Sequence, residues 1–383
     1  MHFAFTDEQE ALREQARAFL AEHASSEALR RAMASERGFD PELWARIGRE
    51  LGWTGVAIPE THGGAGLTFI EAMALLEPMG EMLLASPFFA SLCLAAPALL
   101  TVPDSPGARE WLPALAEGRA TATLVVGAAR GPARSAAAGF TWRQTADGYT
   151  LSGRDGFVLD GAHADLLLVP AQREGAAADG PLALFAVPAR TAGIVRSARV
   201  TMDATRRFAE VQLCDAAVPR AARLGDEDAG EVALARALDL AAIALAVEQT
   251  GGAQRCLDLS VSYALERVQF GRPIGSFQAI QHKCADLMLA VETSRSAAYQ
   301  AGCVAAEAGA ELATSASLAK AWCSEAYFRC AADALQIHGG VGFTWEIDVH
   351  LHLKRARSME AWLGTPAWHR ERIAVAIGLG ECA

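Results

Sequence analysis

The stretch ERVQFGRPIGSFQAIQ, Glu266 to Gln281, interrupts a long helical pattern in the C-terminal third of the chain. Gly271 is predicted to end the preceding helix, because glycine adopts the left-handed backbone of a helix C-terminus without strain. Pro273 prevents that helix from continuing, and the hydroxyl of Ser276 is predicted to cap the next one. The stretch therefore predicts a structured break between two long helices.

Arg267 and Phe270 lie beside this break. A guanidinium can bind phosphate through two parallel hydrogen bonds, and an aromatic ring packs well on a flat group. The pair therefore indicates a site for an aromatic cofactor that carries phosphate. A surface arginine next to a core phenylalanine is the alternative, and the two residues alone leave both interpretations open.

A second break, QIHGGVGFTWE, runs from Gln336 to Glu346 and holds three glycines within four residues. Gly339 and Gly340 can take positive φ and bring their backbone N–H groups close to a ligand, so a bound nucleotide is predicted to lie against them. A helix C-terminus alone needs only one glycine. His338 is predicted to be structural rather than catalytic.

The region around these breaks is rich in alanine and helical in pattern after Asp226, with predicted helices over roughly 230–270, 276–306, 313–337 and 345–377. Four long helices with short connections predict a four-helix bundle. Its alanine-rich faces suit either subunit contacts or an ordinary core. The most apolar window, Val232 to Val247, contains Arg236 and Asp239 and is shorter than the roughly 20 residues of a membrane span. It predicts a buried helix.

The middle of the chain, from Thr121 to Asp215, has a different texture of short apolar runs separated by turn residues. The runs are TATLVVG, GFTWRQ, GYTLSG, ADLLLVP, LALFAVP and FAEVQL. They predict strands without intervening helices, and therefore an antiparallel sandwich or barrel. No GxGxxG follows any of them, which argues against a Rossmann fold.

The N-terminal region is helical in pattern from Thr6, a predicted N-cap, to about Pro113. Leu51 to Leu67 contains one proline and five glycines and is predicted to be a structured loop. A second helix pair is predicted to end near Pro87. The fold class is therefore α+β, with an N-terminal helical domain over 1–118, a central β domain over 119–225 and a C-terminal bundle over 226–383.

Composition excludes several classes of function. The 383 residues are 52% hydrophobic, which argues against disorder, and the formal charge of -11 disfavours binding to nucleic acid. The eight cysteines form no CxxC pair, so a zinc site is not predicted. Free thiols indicate a reducing compartment, the cytoplasm. Asp7, Glu8 and Glu10 follow the first aromatic residues, where a secretory leader would be basic and then apolar.

The two breaks, read with their flanks, resemble the acyl-CoA dehydrogenase family, flavoproteins that desaturate acyl-CoA thioesters. The strings that carry the resemblance are YALERVQFGRPIGSFQAIQHKCADLML and QIHGGVGFTWEIDVHLHLKRAR. The N-terminal strings FAFTDEQEALREQARAFL and ELGWTGVAIPETHGGAGL are similar to the family's opening helices and loop. The resemblance therefore covers nearly the whole chain and is weakest in the middle.

The resemblance implies an FAD site shared between neighbouring chains, with the two breaks meeting there, and hence a homo- or hetero-oligomer, a dimer or tetramer. The residues implied to hold the pyrophosphate and adenosine are Arg267, Phe270, Gln278, Gln336, Gly339 and Gly340. Near the isoalloxazine, the string Phe157-Val158-Leu159-Asp160 replaces the family's Trp-Ile-Thr-Asn, and Trp362 and Thr365 match the family's aromatic and threonine. The implied substrate is an acyl-CoA, and the implied electron acceptor is an electron-transfer flavoprotein.

The chain departs from the family pattern at the catalytic base. The family's glutamate is replaced by Leu363, and the alternative base position on the first bundle helix is occupied by Ala241. Neither side chain can accept the α-proton, a role that contributes roughly 10²–10⁴-fold to a rate. Asp239, an acid in an apolar stretch, is a candidate displaced base or a substrate-positioning residue, and Glu360 is a further candidate.

A second departure is the segment Val125 to Phe140, VVGAARGPARSAAAGF, which replaces the family's Thr-Glu-Pro-x-x-Gly-Ser loop. Three functions stay open. The chain is a dehydrogenase with a displaced or partner-supplied base, an inert partner subunit that completes FAD sites in a hetero-oligomer, or a flavin oxidase or monooxygenase on the same fold. Pocket shape sets acyl specificity, so the sequence does not give the acyl group.

Overall fold

The N-terminal third of the chain is helical, as predicted. A computed structural model describes residues 5–126, 139–177, 180–226, 229–307 and 309–380. Thr6 caps the first helix through a capping box with Gln9. The helices of this region are α1 (Asp7–His23), α2 (Ser26–Ala34), α3 (Pro41–Ala45), α4 (Phe69–Glu81), α5 (Ala96–Leu100) and α6 (Pro106–Ala116).

The segment between α3 and α4 is the predicted structured loop, with 3₁₀ turns at Trp53–Gly55 and Glu60–His62. The prediction that the second helix pair ends near Pro87 was wrong. A π-helical stretch, Phe89–Ala95, starts just after that proline and runs into α5. Leu83, at φ 51°, ends the preceding helical path. Pro87 then stands where its fixed φ favours the start of a new helix.

The central domain is a sheet of eight strands within the described residues, in the order β6-β7-β3-β2-β4-β5-β8, with β1 beside β4. The strands are β1 (Ala122–Leu124), β2 (Phe140–Gln144), β3 (Gly148–Leu159), β4 (Leu166–Arg173), β5 (Leu182–Pro188), β6 (Ile194–Arg199), β7 (Phe208–Pro219) and β8 (Arg223–Leu224). The sheet is mixed rather than purely antiparallel, because β1 and β2 both run parallel to β4. The chain reverses its direction twice between β2 and β4, so β4 runs in the same direction as β2.

The C-terminal region is a helical bundle formed by α7 (Ala229–Glu266), α8 (Gln278–Ala306), α9 (Leu312–His338), α10 (Val349–Ala361) and α11 (Pro366–Ala376). The predicted fourth helix is therefore two helices, separated at residues 362–365. Leu363 and Gly364 both have positive φ there, and the hydroxyl of Thr365 accepts a hydrogen bond from the backbone N–H of Trp368 and caps α11.

The first break differs in detail from its prediction. α7 ends at Glu266, and a two-strand hairpin, β9 (Val268–Gln269) and β10 (Arg272–Pro273), follows it. Phe270 and Gly271 form its turn at φ 53° and 77°. Ser276 does not cap α8, because its hydroxyl donates to the carbonyl oxygen of Pro273 at 2.7 Å. The second break lies where it was predicted, because α9 ends at His338 and Gly339 has φ 61°. Gly340 does not have positive φ and lies in a 3₁₀ helix, Gly339–Phe343.

Helices α4 and α7 pack with their backbones in close contact. A Cβ atom on Gly80 would lie 2.0 Å from the carbonyl oxygen of Glu248, and one on Gly251 would lie 1.9 Å from that of Glu77. The alanine-rich part of α7 therefore belongs to a core within the chain, where close packing needs small residues. Among the described residues, no helix is long and apolar enough to cross a membrane.

Candidate functional site

The two breaks begin side by side in one chain. The ring of Tyr263, at the end of α7, stacks on His338 at 4.4 Å between centroids. Lys283 of α8 forms an ion pair with Asp333 of α9. The two breaks therefore lie beside each other within one chain, and the expectation that they meet across neighbouring chains stays a prediction. His338 also hydrogen-bonds through Nδ1 to the carbonyl oxygen of Ala334 at 2.8 Å, which agrees with its predicted structural role.

The surface around these breaks, here called the dinucleotide face, is open. All its residues are exposed: Arg267, Phe270, Gln278, Gln336, Gly339 and Gly340. The Phe270 side chain is 93% exposed. A Cβ on Gly339 or Gly340 would meet nothing within 4 Å. Among the described residues, no carboxylate pairs with the Arg267 guanidinium. An unpaired cation, an exposed ring and accessible glycine backbone fit the phosphates and adenine of a dinucleotide.

The predicted isoalloxazine residues lie in an aromatic cluster between the sheet and the bundle. Phe208 lies 6.2 Å from Phe157 and 5.9 Å from Trp362 between ring centroids, and Phe89 lies 5.4 Å from Trp362. Leu159 and Trp362 are buried in the same core. The indole N–H of Trp362 is buried and has no hydrogen-bond partner among the described residues. It is a donor that a ligand in this cluster could use, whereas the Leu159 side chain offers none.

Neither position that the resemblance assigns to the catalytic base carries an acid, and both side chains are buried. Leu363 and Ala241 are buried. The carboxylate of Asp239 accepts a hydrogen bond from Arg372 at 2.8 Å. Glu360 forms an ion pair with Arg357 at 2.5 Å. The structure therefore gives each candidate acid a cationic partner on one of its carboxylate oxygens.

Sequence reasoning missed a cluster of charges beside Trp362, which we call the buried charge network. Its members are Asp203, Thr205, Arg206, Glu248 and Arg355. The guanidinium of Arg206 lies 4.6 Å from the ring centroid of Phe89 and 5.8 Å from that of Trp362, and it also bonds to Glu248. A paired cation therefore occupies the space next to Trp362.

Little space is left for a ligand beside Arg206. A cavity of about 10 Å³ lies among Phe89, Leu159, Asp160 and Arg206, which is enough for about one water molecule.

Burial raises the pKa of the Asp160 carboxyl to about 7, although Arg206, Arg355 and Arg207 lower it in part. Asp160 is thus an acid near the aromatic cluster that sequence reasoning did not single out as a base. The replaced loop lies mostly in residues 127–138, outside the described part of the chain.

Lys320 fixes the segment that contains Leu363. Its ammonium donates to the carbonyl oxygens of Met359, Glu360 and Gly364, each at 3.2 Å, and to the Ser324 hydroxyl at 2.8 Å. Burial lowers the pKa of Lys320 from 10.5 to about 7, although Glu360 opposes the shift. The segment between α10 and α11 is therefore held by a buried amine.

The free energy of unfolding is expected to rise with pH between about 7 and 10.5 because of Lys320. The variant Lys320→Met is expected to lose this contribution to the rise. In this window the unfolded chain binds the proton that the folded chain has released, which gives a slope of up to about 1.4 kcal/mol per pH unit. Urea unfolding at several pH values measures it, with Lys354→Met as the control. Equal slopes in wild type and Lys320→Met would contradict the prediction.

Comparisons with known proteins cover nearly the whole chain. The family model described as "Acyl-CoA dehydrogenase, N-terminal domain" matches residues 6–119, and "Acyl-CoA dehydrogenase, C-terminal domain" matches residues 228–378. The "Acyl-CoA dehydrogenase IpdE2" of Mycolicibacterium smegmatis is 36% identical over 96% of this chain and 98% of its own.

Two solved structures extend the similarity to three dimensions. The "ChsE4-ChsE5 complex from Mycobacterium tuberculosis" contains a chain with a TM-score of 0.87 and 29% identity, and the alignment covers 100% of both chains. The butyryl-CoA dehydrogenase from Megasphaera elsdenii has a TM-score of 0.89 and 26% identity, with 98% of this chain and 100% of that one covered.

Proposed function

The chain belongs to the acyl-CoA dehydrogenase family, and we propose that it acts as one subunit of a hetero-oligomer in which an unlike subunit supplies the catalytic base. Members of this family are FAD-dependent oxidoreductases that dehydrogenate acyl-CoA thioesters. When bound, FAD accepts the β-hydrogen of the acyl group as hydride. The electron acceptor we propose is an electron-transfer flavoprotein. Seven described cysteines without disulfides support a cytoplasmic location.

One contrast within the chain carries this proposal. The dinucleotide face is exposed and has an unpaired guanidinium, whereas the position of the family's carboxylate holds Leu363 in a packed core. Arg206 and its partner Glu248 lie beside that core. The chain is therefore suited to hold part of a cofactor and unsuited to remove a proton at residue 363.

In the proposed complex, this chain's residues bind and orient the dinucleotide. Arg267 donates to the pyrophosphate, Phe270 packs on the adenine, and Gln278 hydrogen-bonds to the adenosine part. Gly339 and Gly340 present backbone N–H groups that a side chain at either position would obstruct. These residues bind FAD and take no part in proton transfer, which is left to the unlike subunit.

The name of one structural neighbour supports an assembly of unlike chains, since ChsE4-ChsE5 is described as a complex of two. A second candidate function makes the chain a dehydrogenase in its own right, with Asp239 as a displaced base. The buried position of Asp239 on α7, two residues before Ala241, favours this candidate. The ion pair with Arg372 opposes it, because the guanidinium occupies one of the two carboxylate oxygens of Asp239.

Expression with and without an unlike family subunit tests the proposed function. The chain purified alone is expected to be colourless, and the co-expressed complex is expected to be yellow and to be bleached by an acyl-CoA under anaerobic conditions. A panel of acyl-CoA thioesters then identifies the acyl group. Bleaching of the isolated chain would contradict the proposal, and oxygen consumption with a substrate lacking CoA would indicate an oxidase or monooxygenase.

Asp239→Asn is expected to leave both bound flavin and the rate of bleaching in the complex within about threefold of wild type. The reason is that Asp239 pairs with Arg372 and the unlike subunit carries the base. Stopped-flow absorbance measures the rate. The control is Asp258→Asn, an exposed acid on the same helix. A loss of roughly 10²–10⁴-fold with the flavin retained would instead assign the base to Asp239.

A further inference from the structure

A cleft of about 290 Å³ lies between α1, α4, α7 and α8, where the N-terminal helices meet the bundle. Its apolar and aromatic wall is formed by Phe5, Met73, Val247, Ala298 and Tyr299. The rings of Phe5 and Tyr299 meet edge to face at 5.3 Å between centroids. An apolar cavity of about 150 Å³ accommodates a benzene molecule, so this cleft has room for an aromatic body of about ten carbon atoms. Aromatic rings and a methionine sulfur both pack favourably on such a body.

The charges of the cleft are centred on Glu77 of α4. Its side chain is buried, and its carboxylate pairs with Arg13 of α1 at 3.4 Å and with Arg295 of α8 at 3.1 Å. A buried carboxylate without these cations would be very costly, so both guanidiniums are held at Glu77. The cleft is therefore built around a fixed group of one acid and two cations.

Two further acids at the rim give the cleft an excess of negative charge. Glu10 pairs with Arg13 and Glu292 pairs with Arg295, each through its Oε1 atom. In the described part of the chain, the Oε2 atom of neither carboxylate has a hydrogen-bond partner. Three carboxylates and two guanidiniums line the cleft, so one negative charge is in excess. Apolar walls strengthen the attraction of that charge for a cation.

The cleft is distinct from the sites described above. No described residue of the dinucleotide face, the aromatic cluster or the buried charge network lines it. Its floor is formed by α4 and α7, which pack backbone against backbone at Gly80 and Gly251, next to Glu77. The site therefore has its shape before any ligand binds.

We propose that this cleft binds an arylalkylammonium ion, an aromatic body of about ten carbons that carries one primary ammonium group. The aromatic body packs on Phe5, Met73 and Tyr299, and the ammonium donates to the Oε2 atoms of Glu10 and Glu292. Burial of the aromatic surface supplies most of the affinity, and the rim acids select the cation. The site is independent of the FAD site and of the proposed function.

Calorimetric titration of the full chain with tryptamine, tryptophol and indole-3-propionate at neutral pH tests the proposal. The three probes share the indole ring and differ in charge. Tryptamine is expected to bind with one molecule per chain and about tenfold more tightly than the neutral tryptophol. Indole-3-propionate is expected to bind more weakly than tryptophol, because its carboxylate meets the excess negative charge.

Glu292→Gln is expected to weaken tryptamine binding about tenfold, to the affinity of tryptophol, without changing tryptophol binding. The matched control is Glu27→Gln, which removes an exposed acid that pairs with an arginine on α2. Ser296→Phe places a ring in the cleft and is expected to abolish binding of both probes. Because Ser296 is exposed on α8, this variant is expected to keep the fold, which circular dichroism checks.

Equal affinity for tryptamine and tryptophol, with no effect of Glu292→Gln, would overturn the proposal. Tighter binding of indole-3-propionate than of tryptamine would overturn it too, because the arginines and not the acids would then select the ligand. Binding that survives in folded Ser296→Phe would place the probes elsewhere on the protein. The absence of binding up to the solubility limit of tryptamine would likewise refute the site.

Discussion

Arg267→Ala is expected to lower the affinity of the assembled complex for FAD by about 100-fold. Hydrogen bonds to a charged group contribute about 1.5–3 kcal/mol each, and a guanidinium makes two with a pyrophosphate. The exposure of Arg267 reduces this sum to about 3 kcal/mol, which corresponds to the stated factor. Since no described carboxylate pairs with Arg267, its removal leaves no unpaired acid and the fold is expected to be unchanged.

The measurement is a titration of the cofactor-stripped complex with FAD, followed by flavin absorbance. Arg267→Lys is expected to recover part of the affinity, because an ammonium keeps the charge but loses the planar fork. The control is Arg109→Ala. This variant removes an exposed arginine that pairs with Asp104 and lies far from Arg267 in the sequence. Undiminished FAD binding in Arg267→Ala would remove the dinucleotide face from the proposed function.

The two helix breaks that border the dinucleotide face were predictable from sequence because their signals are local. Gly339 ends a helix where the sequence has consecutive glycines, and Phe270 and Gly271 turn the chain beside Pro273. Backbone preference within a few residues decides such features. The same locality explains why Thr6 was correctly identified as a cap.

Ser276 shows the limit of local reasoning. Its hydroxyl has two acceptable uses, a helix cap or a bond to Pro273, and the hairpin geometry that chooses between them is absent from the sequence. The mixed sheet was missed for a similar reason, since pairing of β1 with β4 joins residues 44 positions apart, such as Ala122 and Leu166. The break at Leu363 depends on a contact with another helix. Lys320 of α9 donates to carbonyl groups of the segment that contains Leu363, among them that of Gly364.

The buried charge network was beyond sequence reasoning altogether. Arg206 and Glu248 are 42 positions apart, and Arg355 and Asp203 are 152 apart. Charged residues read one at a time predict exposure, because an isolated buried charge is very costly. Only the tertiary structure shows that each has a partner. The network also joins the loop before β7 to α7 and α10, so it links the sheet to the bundle.

Arg355→Met is therefore expected to lower the free energy of unfolding by about 3–5 kcal/mol, the loss found when a buried ion pair is broken from one side. Arg355 is 2% exposed and donates to Glu248 at 2.5 Å, to Asp203 at 3.0 Å and to the carbonyl oxygen of Thr205 at 3.0 Å. Methionine fills much of the volume but leaves Asp203 buried without its cation. Urea unfolding measures the loss, and a change below about 1 kcal/mol would contradict the prediction.

Two matched variants separate the lost charge from lost packing. Arg370→Met removes a surface guanidinium that binds both oxygens of Glu325, and it is expected to cost at most about 1 kcal/mol because water screens that pair. Adding Asp203→Asn to Arg355→Met removes the stranded charge, so the double variant is expected to be more stable than Arg355→Met alone. If it is less stable, methionine packing rather than the unpaired carboxylate limits the fold, and the network is not the electrostatic link between sheet and bundle.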